Sequence, residues 1–183
     1  QDAWANNYES GRDQNEFHIP DYPLFYGIFK TLHTIRDDAT KATEIAEAHK
    51  FLKDTSRAKW LMTLTRIQYQ PSGNDLIVHN FGTRDHYEEQ VPFIGGDGKV
   101  TSSDASLPYQ KLLGTNDNTQ GIIDVFKWLN GTDTYIYRVN NRPSAVDERV
   151  ARFYANSDWA VLNCVRNPTS SNSGLGVRLS RAP

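Results

Sequence analysis

The 183-residue sequence has one cysteine, one methionine, no long apolar run and no excess of charge of either sign. Cys164 has no partner within the chain, so an internal disulfide framework is excluded, and so is a cysteine-based zinc cluster in a single chain. No uninterrupted apolar stretch approaches the ~18 residues of a membrane span, and the mean hydropathy is −0.64. Twenty Lys+Arg stand against 22 Asp+Glu, a formal charge of −2. A broad electrostatic footprint for nucleic acid needs a basic excess, so no nucleic-acid partner is expected. No internal repeat is evident. No secretory apolar segment opens the chain, which starts at Gln1 with its methionine at Met62. A trimmed signal peptide, a tag or a disordered end all fit that start, so it does not reveal the compartment.

What is present is ordinary for a globular chain: 38% hydrophobic and 23% charged residues. One domain over 1–183 is expected. Residues 1–20 are polar and irregular but carry Trp4, Tyr8 and Phe17, and read as an arm laid across a core. Asp21-Tyr22-Pro23 predicts a helix start, with Asp21 as cap and Pro23 in the first turn. Leu24, Ile28, Leu32 and Ile35 then form one apolar stripe. A second helix is expected from Thr40 to Lys53, with Ile45, Ala48, His49 and Leu52 on one side. Residues 62–82 read as a hairpin around Pro71-Ser72-Gly73-Asn74-Asp75, within a hairpin and loop insertion over 62–106. A third strand is expected at Val91–Ile94, then a Gly95-Gly96-Asp97-Gly98 turn and helical turns over Leu107–Leu113 ended by Gly114. Thr119–Leu129 fits a helix or a strand. Thr134–Val139, Arg149–Tyr154, Trp159–Cys164 and Leu175–Arg181 predict strands. Helices lead and strands follow, which is an α+β order.

Few motifs carry chemistry. His79, Asp85, His86, Glu88 and Glu89 fall close together, but there is no HExxH, and a solvated polar loop is the plainer reading. Asn116-Asp117-Asn118 with Asp133 lacks calcium-loop spacing. No Gly-x-Ser-x-Gly or Walker pattern is present. Cys164 lies in an apolar strand pattern, as a buried inert thiol does. Asn130-Gly131-Thr132 is a glycosylation sequon whose use stays open. Aromatics are the stronger signal. Tyr135, Tyr137, Tyr154 and Trp159 gather in the last third with Trp128 and Phe153, and residues 156–174 interleave four Asn and four Ser with Asp158, Trp159 and Arg166. Rigid aromatic area beside short, adaptable polar groups is the chemistry of a paratope. A polar loop joining two strands has the same composition.

Arg149-Val150-Ala151-Arg152, then Trp159, Cys164, Arg166, Pro168 and Leu175-Gly176-Val177-Arg178-Leu179 follow a familiar order. It resembles the C-terminus of C-type lectin domains of the formylglycine-generating-enzyme type, with their RVxRGGSW-like strand, Asn/Arg-rich segment and GFR-like terminal strand. Gln120–Trp128 is loosely similar to that family's GNVWEW strand, so the likeness spans 120 to 181. Phe153-Tyr154-Ala155-Asn156 stands where the family has glycines, and the RLPTEAEWE segment has no counterpart. The resemblance implies a C-type-lectin-like α+β fold with two N-terminal helices and a strand-rich C-terminal ligand-binding segment. The family's sulfatase-modifying branch uses cysteine chemistry with copper, which one strand-embedded cysteine does not supply, so no cofactor or metal is expected.

The other branch comprises variable proteins of diversity-generating retroelements, whose C-terminal segment is diversified at adenines, acting strongly on Asn codons. On that likeness 149–181 is the variable segment. Arg152, Pro168, Gly176 and Arg178 are scaffold. Tyr154, Asn156, Asp158, Trp159, Asn163, Asn167, Ser170, Ser171, Asn172 and Ser173 are ligand contacts. Val150, Phe153, Val161, Val177 and Leu179 are expected to face inward. The expected function is non-enzymatic binding of a protein or cell-surface target by a surface, secreted or virion-associated protein; aromatics and amides also suit a glycan. The alternatives are a metal-assisted hydrolase using His79, Asp85 and His86, and a viral structural or assembly protein using the helices at 21–55. The oligomeric state is not legible.

Overall fold

The computed structural model describes residues 17–92, 97–169, 175–176 and 180–181, with side chains over 19–92 and 97–169. The chain runs β1 (Phe17–His18), α1 (Tyr22–Thr34), a single helical turn (Ala39–Lys41), α2 (Ala42–Ala58), β2 (Trp60–Tyr69), β3 (Asp75–His79), β4 (Tyr87–Val91) and β5 (Gly98–Lys99). It continues with α3 (Ser106–Leu113), α4 (Thr119–Asn130), β6 (Asp133–Tyr137), β7 (Asp147–Ala155), β8 (Trp159–Arg166), β9 (Leu175–Gly176) and β10 (Ser180–Arg181). One mixed sheet has the order β4-β3-β2-β7-β8-β6-β5, with β9 added beside β2. β6 runs parallel to β8, and β9 runs parallel to β2; the other pairs are antiparallel. β1 pairs with β10 in a separate two-stranded sheet. The chain is therefore α+β. The stretch 62–106 supplies β3, β4, β5 and most of β2, and β2 lies inside the sheet.

Local chemistry explains most boundaries. Asp21 accepts a hydrogen bond from Leu24 N at 2.9 Å and starts α1. Asn118 does the same for Gly121 N at 2.8 Å and starts α4, which resolves Thr119–Leu129 as helix. The likeness of Gln120–Trp128 to a strand of the lectin family is thereby corrected: those residues are helical. Gly114 (φ +58°) and Gly131 (φ +74°) end α3 and α4 in the left-handed conformation. The hairpin forms as expected, with Ile67 opposite Ile77.

Two expectations change, and one open question closes. In α1 the Leu24/Ile28 side is exposed, and Tyr22, Phe25, Tyr26 and Phe29 are buried instead. Both sets repeat at helical spacing, and the rings bury more apolar area, so they take the core. The exposed set lines an apolar groove with Ala48, Phe51 and Leu52 of α2. The third strand is Tyr87–Val91, and its Glu88 and Glu89 stand on an edge strand, where charge is tolerated. The open question is the sequon, whose Asn130 ends α4. It is fully buried, donating from Nδ2 to the Phe126 carbonyl and accepting from Ser56 Oγ at 3.2 Å, so the sequon is closed to modification in the folded chain.

All the α-helices contribute to one core against a single face of the sheet. Phe153 of β7 meets Phe29 of α1 at 5.7 Å and Phe126 of α4 at 5.4 Å between ring centroids. Ala151 and Ala155 of β7, Ala160, Leu162 and Cys164 of β8, and Ile136 of β6 face the same way. Alternation then turns Val150, Arg152, Tyr154, Val161, Asn163, Tyr135 and Tyr137 to the other face. Val150 and Val161, expected to share the inward side with Phe153, are buried but on the opposite face. Val177 and Leu179 lie outside the described residues.

Candidate functional site

The face of the sheet away from the helices carries the candidate site. Pairing aligns Tyr137, Asn163, Arg152 and Met62 in one row across β6, β8, β7 and β2. The next row holds Tyr135, Val161 and Tyr154. A bulge shapes it further. Val150 pairs with Arg166, and Arg152 with Asn163, so β8 has one residue more than β7 between these points. Asn163 and Arg166 are three apart and would otherwise point to opposite faces; the extra residue brings both to this one.

Aromatic and cationic groups pack tightly here. The Arg152 guanidinium lies 3.7 Å from the centroid of the Trp60 ring. Trp60 also stacks on Tyr154 at 4.3 Å with 21° between planes. Trp159 meets Tyr135 at 5.7 Å. All four rings are partly exposed, while Arg152 is 8% exposed. Arg152 Nε donates to Asn163 Oδ1 at 3.4 Å, a long bond. Burial and then the neighbouring Arg166 charge bring the Arg152 pKa down to about 10. Such a surface can stack a flat or apolar group and donate hydrogen bonds to an acceptor beside it.

The expected contact residues divide. Tyr154 and Trp159 belong to this surface. Asp158 is exposed at the β7–β8 turn. Asn156 Oδ1 accepts from Asp158 N and Trp159 N, both at 2.8 Å, so its oxygen builds the turn. Asn167 is exposed, but its Oδ1 accepts from Thr169 N at 2.9 Å. Asn163 is buried and orients Arg152. Ser170, Ser171, Asn172, Ser173 and Arg178 lie outside the described residues. Of the expected scaffold, Arg152 is central, Pro168 is half-buried, and the Gly176 backbone pairs with Leu61. Sequence reasoning left out Trp60, Tyr135, Tyr137 and Arg166 as contacts. Alternating Tyr135 and Tyr137 signalled a shared face; nothing local ties Trp60 to residues 152–154.

The hydrolase reading meets an obstacle at His79. The imidazole is wholly buried. Tyr22 N donates to Thr65 Oγ1, whose hydroxyl donates to His79 Nδ1 at 3.1 Å. Nε2 donates to the Lys111 carbonyl at 3.0 Å, since a carbonyl can only accept. Both ring nitrogens are engaged, and no lone pair is left for a metal. Among the described residues no cluster of three His, Cys, Asp or Glu could hold one. Cys164 is buried, and burial pushes its thiol up to about 12, as expected of an inert cysteine.

His79 carries a pH dependence instead. Burial is the largest effect and lowers its pKa, against smaller opposing effects of the Lys111 carbonyl, Asp21 and Glu89. The unfolded imidazole titrates near ~6.5. A folded pKa below that value means the neutral ring stabilises the fold fully above pH ~6.5, and the contribution falls as pH drops through that value toward the folded pKa. His33, also lowered chiefly by burial, acts in the same direction. Urea titrations from pH 7.5 to 5 should show wild-type stability falling more steeply than that of His79→Gln. The difference should approach one proton, about 1.4 kcal/mol per pH unit. Equal slopes would mean that His79 titrates normally.

No family model matches the chain, and no curated protein or solved structure matches it.

Proposed function

We propose that this chain is a non-enzymatic binding protein whose helix-free sheet face recognises a protein or cell-surface target. In this reading it is a C-type-lectin-like variable protein of the formylglycine-generating-enzyme type, diversified by a retroelement over 149–181. One observation carries the binding function: Trp60 and Tyr154 stand partly exposed beside Arg152, and Tyr135 and Trp159 stand partly exposed further along the same face of a continuous sheet that also carries Arg166. Aromatic rings and arginine are the residue types that dominate binding energy at interfaces. β7, β8 and β9 fall on the segments that carry the family resemblance, which supports the finer reading. The helix at Thr119–Asn130 leaves the likeness resting on 149–181 alone. Exposed positions on this face can change at a cost within about 0.5 kcal/mol, while its buried residues, Val150 and Val161 among them, hold the frame.

The test separates recognition from folding. Wild type, Tyr154→Ala and Trp159→Ala are displayed against a panel of whole cells and a glycan array. Each substitution should weaken capture by about 30-fold, the hot-spot range of 2 kcal/mol or more. Melting temperature should move by only a few degrees. Capture unchanged by both substitutions, or captured targets absent from both panels, overturns the reading. The flanking DNA tests diversification: a near-copy of the 3′ end differing mainly at adenines is expected.

A further inference from the structure

The buried and half-buried arginines of this sheet are treated unequally. Arg66, 3% exposed, is paired with Glu148 at 2.9 Å. Arg149 has Asp147 on its Nη2 at 2.8 Å, although its Nε, like that of Arg166, has no hydrogen-bond partner among the described residues. Arg152 and Arg166 have no carboxylate among the described residues. Among the described residues the Arg152 guanidinium meets the Trp60 ring and Asn163 Oδ1. Arg166 leaves its buried Nε with no hydrogen-bond partner among the described residues. The two stand diagonally across β7 and β8, and the bulge that turns Arg166 onto this face is what brings them together. Placing a half-buried guanidinium beside a buried one is unfavourable unless a counter-charge completes them. Burial first, and then repulsion from Arg166, lowers the Arg152 pKa. Asn163 spends its amide oxygen on Arg152, so its NH₂ remains as a further donor.

We propose that Arg152, Arg166 and Asn163 form an oxyanion subsite that takes a carboxylate or phosphate group of the ligand, with the Trp60–Tyr154 ring pair beside it to stack the part that carries the anion. The proposal rests on the reading of this face as the binding face and names the chemistry of what it recognises. Guanidinium forks match the planar oxygens of a carboxylate and the tetrahedral oxygens of a phosphate with a bidentate geometry that a point charge such as lysine does not reproduce. Arg166 Nε gains a partner when the anion arrives. Trp60 lies directly against Arg152, so the site contains its own optical reporter.

The experiment titrates the whole chain with sodium phosphate and, separately, with sodium acetate. Ionic strength is held constant with sodium chloride, and tryptophan fluorescence and melting temperature are read. Wild type should saturate with one of the two anions in the millimolar range, and the tighter one identifies the group. Arg166→Gln should weaken it by about tenfold or more, the worth of a hydrogen bond to a charged group. Arg84→Gln, which removes the same charge from an exposed site, should leave the midpoint unchanged. If Arg166→Gln does not fold, arginine Nε–H resonances of wild type are followed instead, and Arg152 and Arg166 should shift with the titration. A non-saturating response, an unchanged midpoint in Arg166→Gln, or still resonances overturns the subsite. Saturation in a chain that captures no cell or glycan upholds the subsite and overturns target recognition. Capture unaffected by Arg166→Gln with a flat titration overturns the subsite alone.

Discussion

Phe153→Ala should lower folding free energy by about 3–5 kcal/mol, whereas Tyr154→Ala, one residue further along β7, should cost about 1 kcal/mol. The two side chains leave the same strand in opposite directions. Phe153 is 2% exposed and wedged between Phe29 and Phe126, so truncation leaves a cavity lined by rings from two helices. Those helices are held in place by other contacts and cannot collapse into the space. Tyr154 is partly exposed and loses chiefly its stacking on Trp60. Urea denaturation of both variants measures the contrast. Equal costs would mean that the face assigned to recognition is packed as tightly as the helix side, and the proposed binding surface would fall with that result.

Elements marked by local chemistry were legible in the sequence. Asp21 and Pro23 announced α1, Gly114 ended α3, and Pro71–Asp75 announced the β2–β3 hairpin. Choices made by tertiary packing were not legible. α1 carries two apolar sides, and only the partners offered by α4 and β7 determine that the aromatic side goes inward. Thr119–Asn130 fits either period, and its helix is decided by the Asn118 cap. Within the site, Tyr154 and Trp159 could be picked out as rings among short polar residues. Asn156 and Asn167 could not be distinguished from contacts, because an asparagine that bonds its own turn has the same composition as one that bonds a ligand. Arg166 needed the bulge and Trp60 needed the β2–β7 pairing, and neither leaves a mark in local spacing.

Gly114→Ala should cost about 2–4 kcal/mol, against about 1 kcal/mol for Gly131→Ala. Both glycines end a helix with positive φ, so both variants meet the same local strain. They differ in what a methyl would touch. At Gly131 the nearest atom is Lys53 Nζ at 4.0 Å, the end of a flexible side chain. At Gly114 a Cβ would come within 2.7 Å of Pro23 Cβ and 2.9 Å of Pro23 Cγ. Pro23 has no rotamer to offer, because its ring is tied into the first turn of α1. The helix cannot slide away either. Its neighbour Tyr22 is anchored through its backbone N–H on Thr65 Oγ1 and through its hydroxyl on the Arg152 carbonyl. The clash must therefore be absorbed by opening the α1–α3 contact. Urea denaturation of the two variants isolates this close approach, since the shared strain cancels in their difference. Equal destabilisation would show that the start of α1 yields, and that the tie from Tyr22 to β7 is looser than its hydrogen bonds imply.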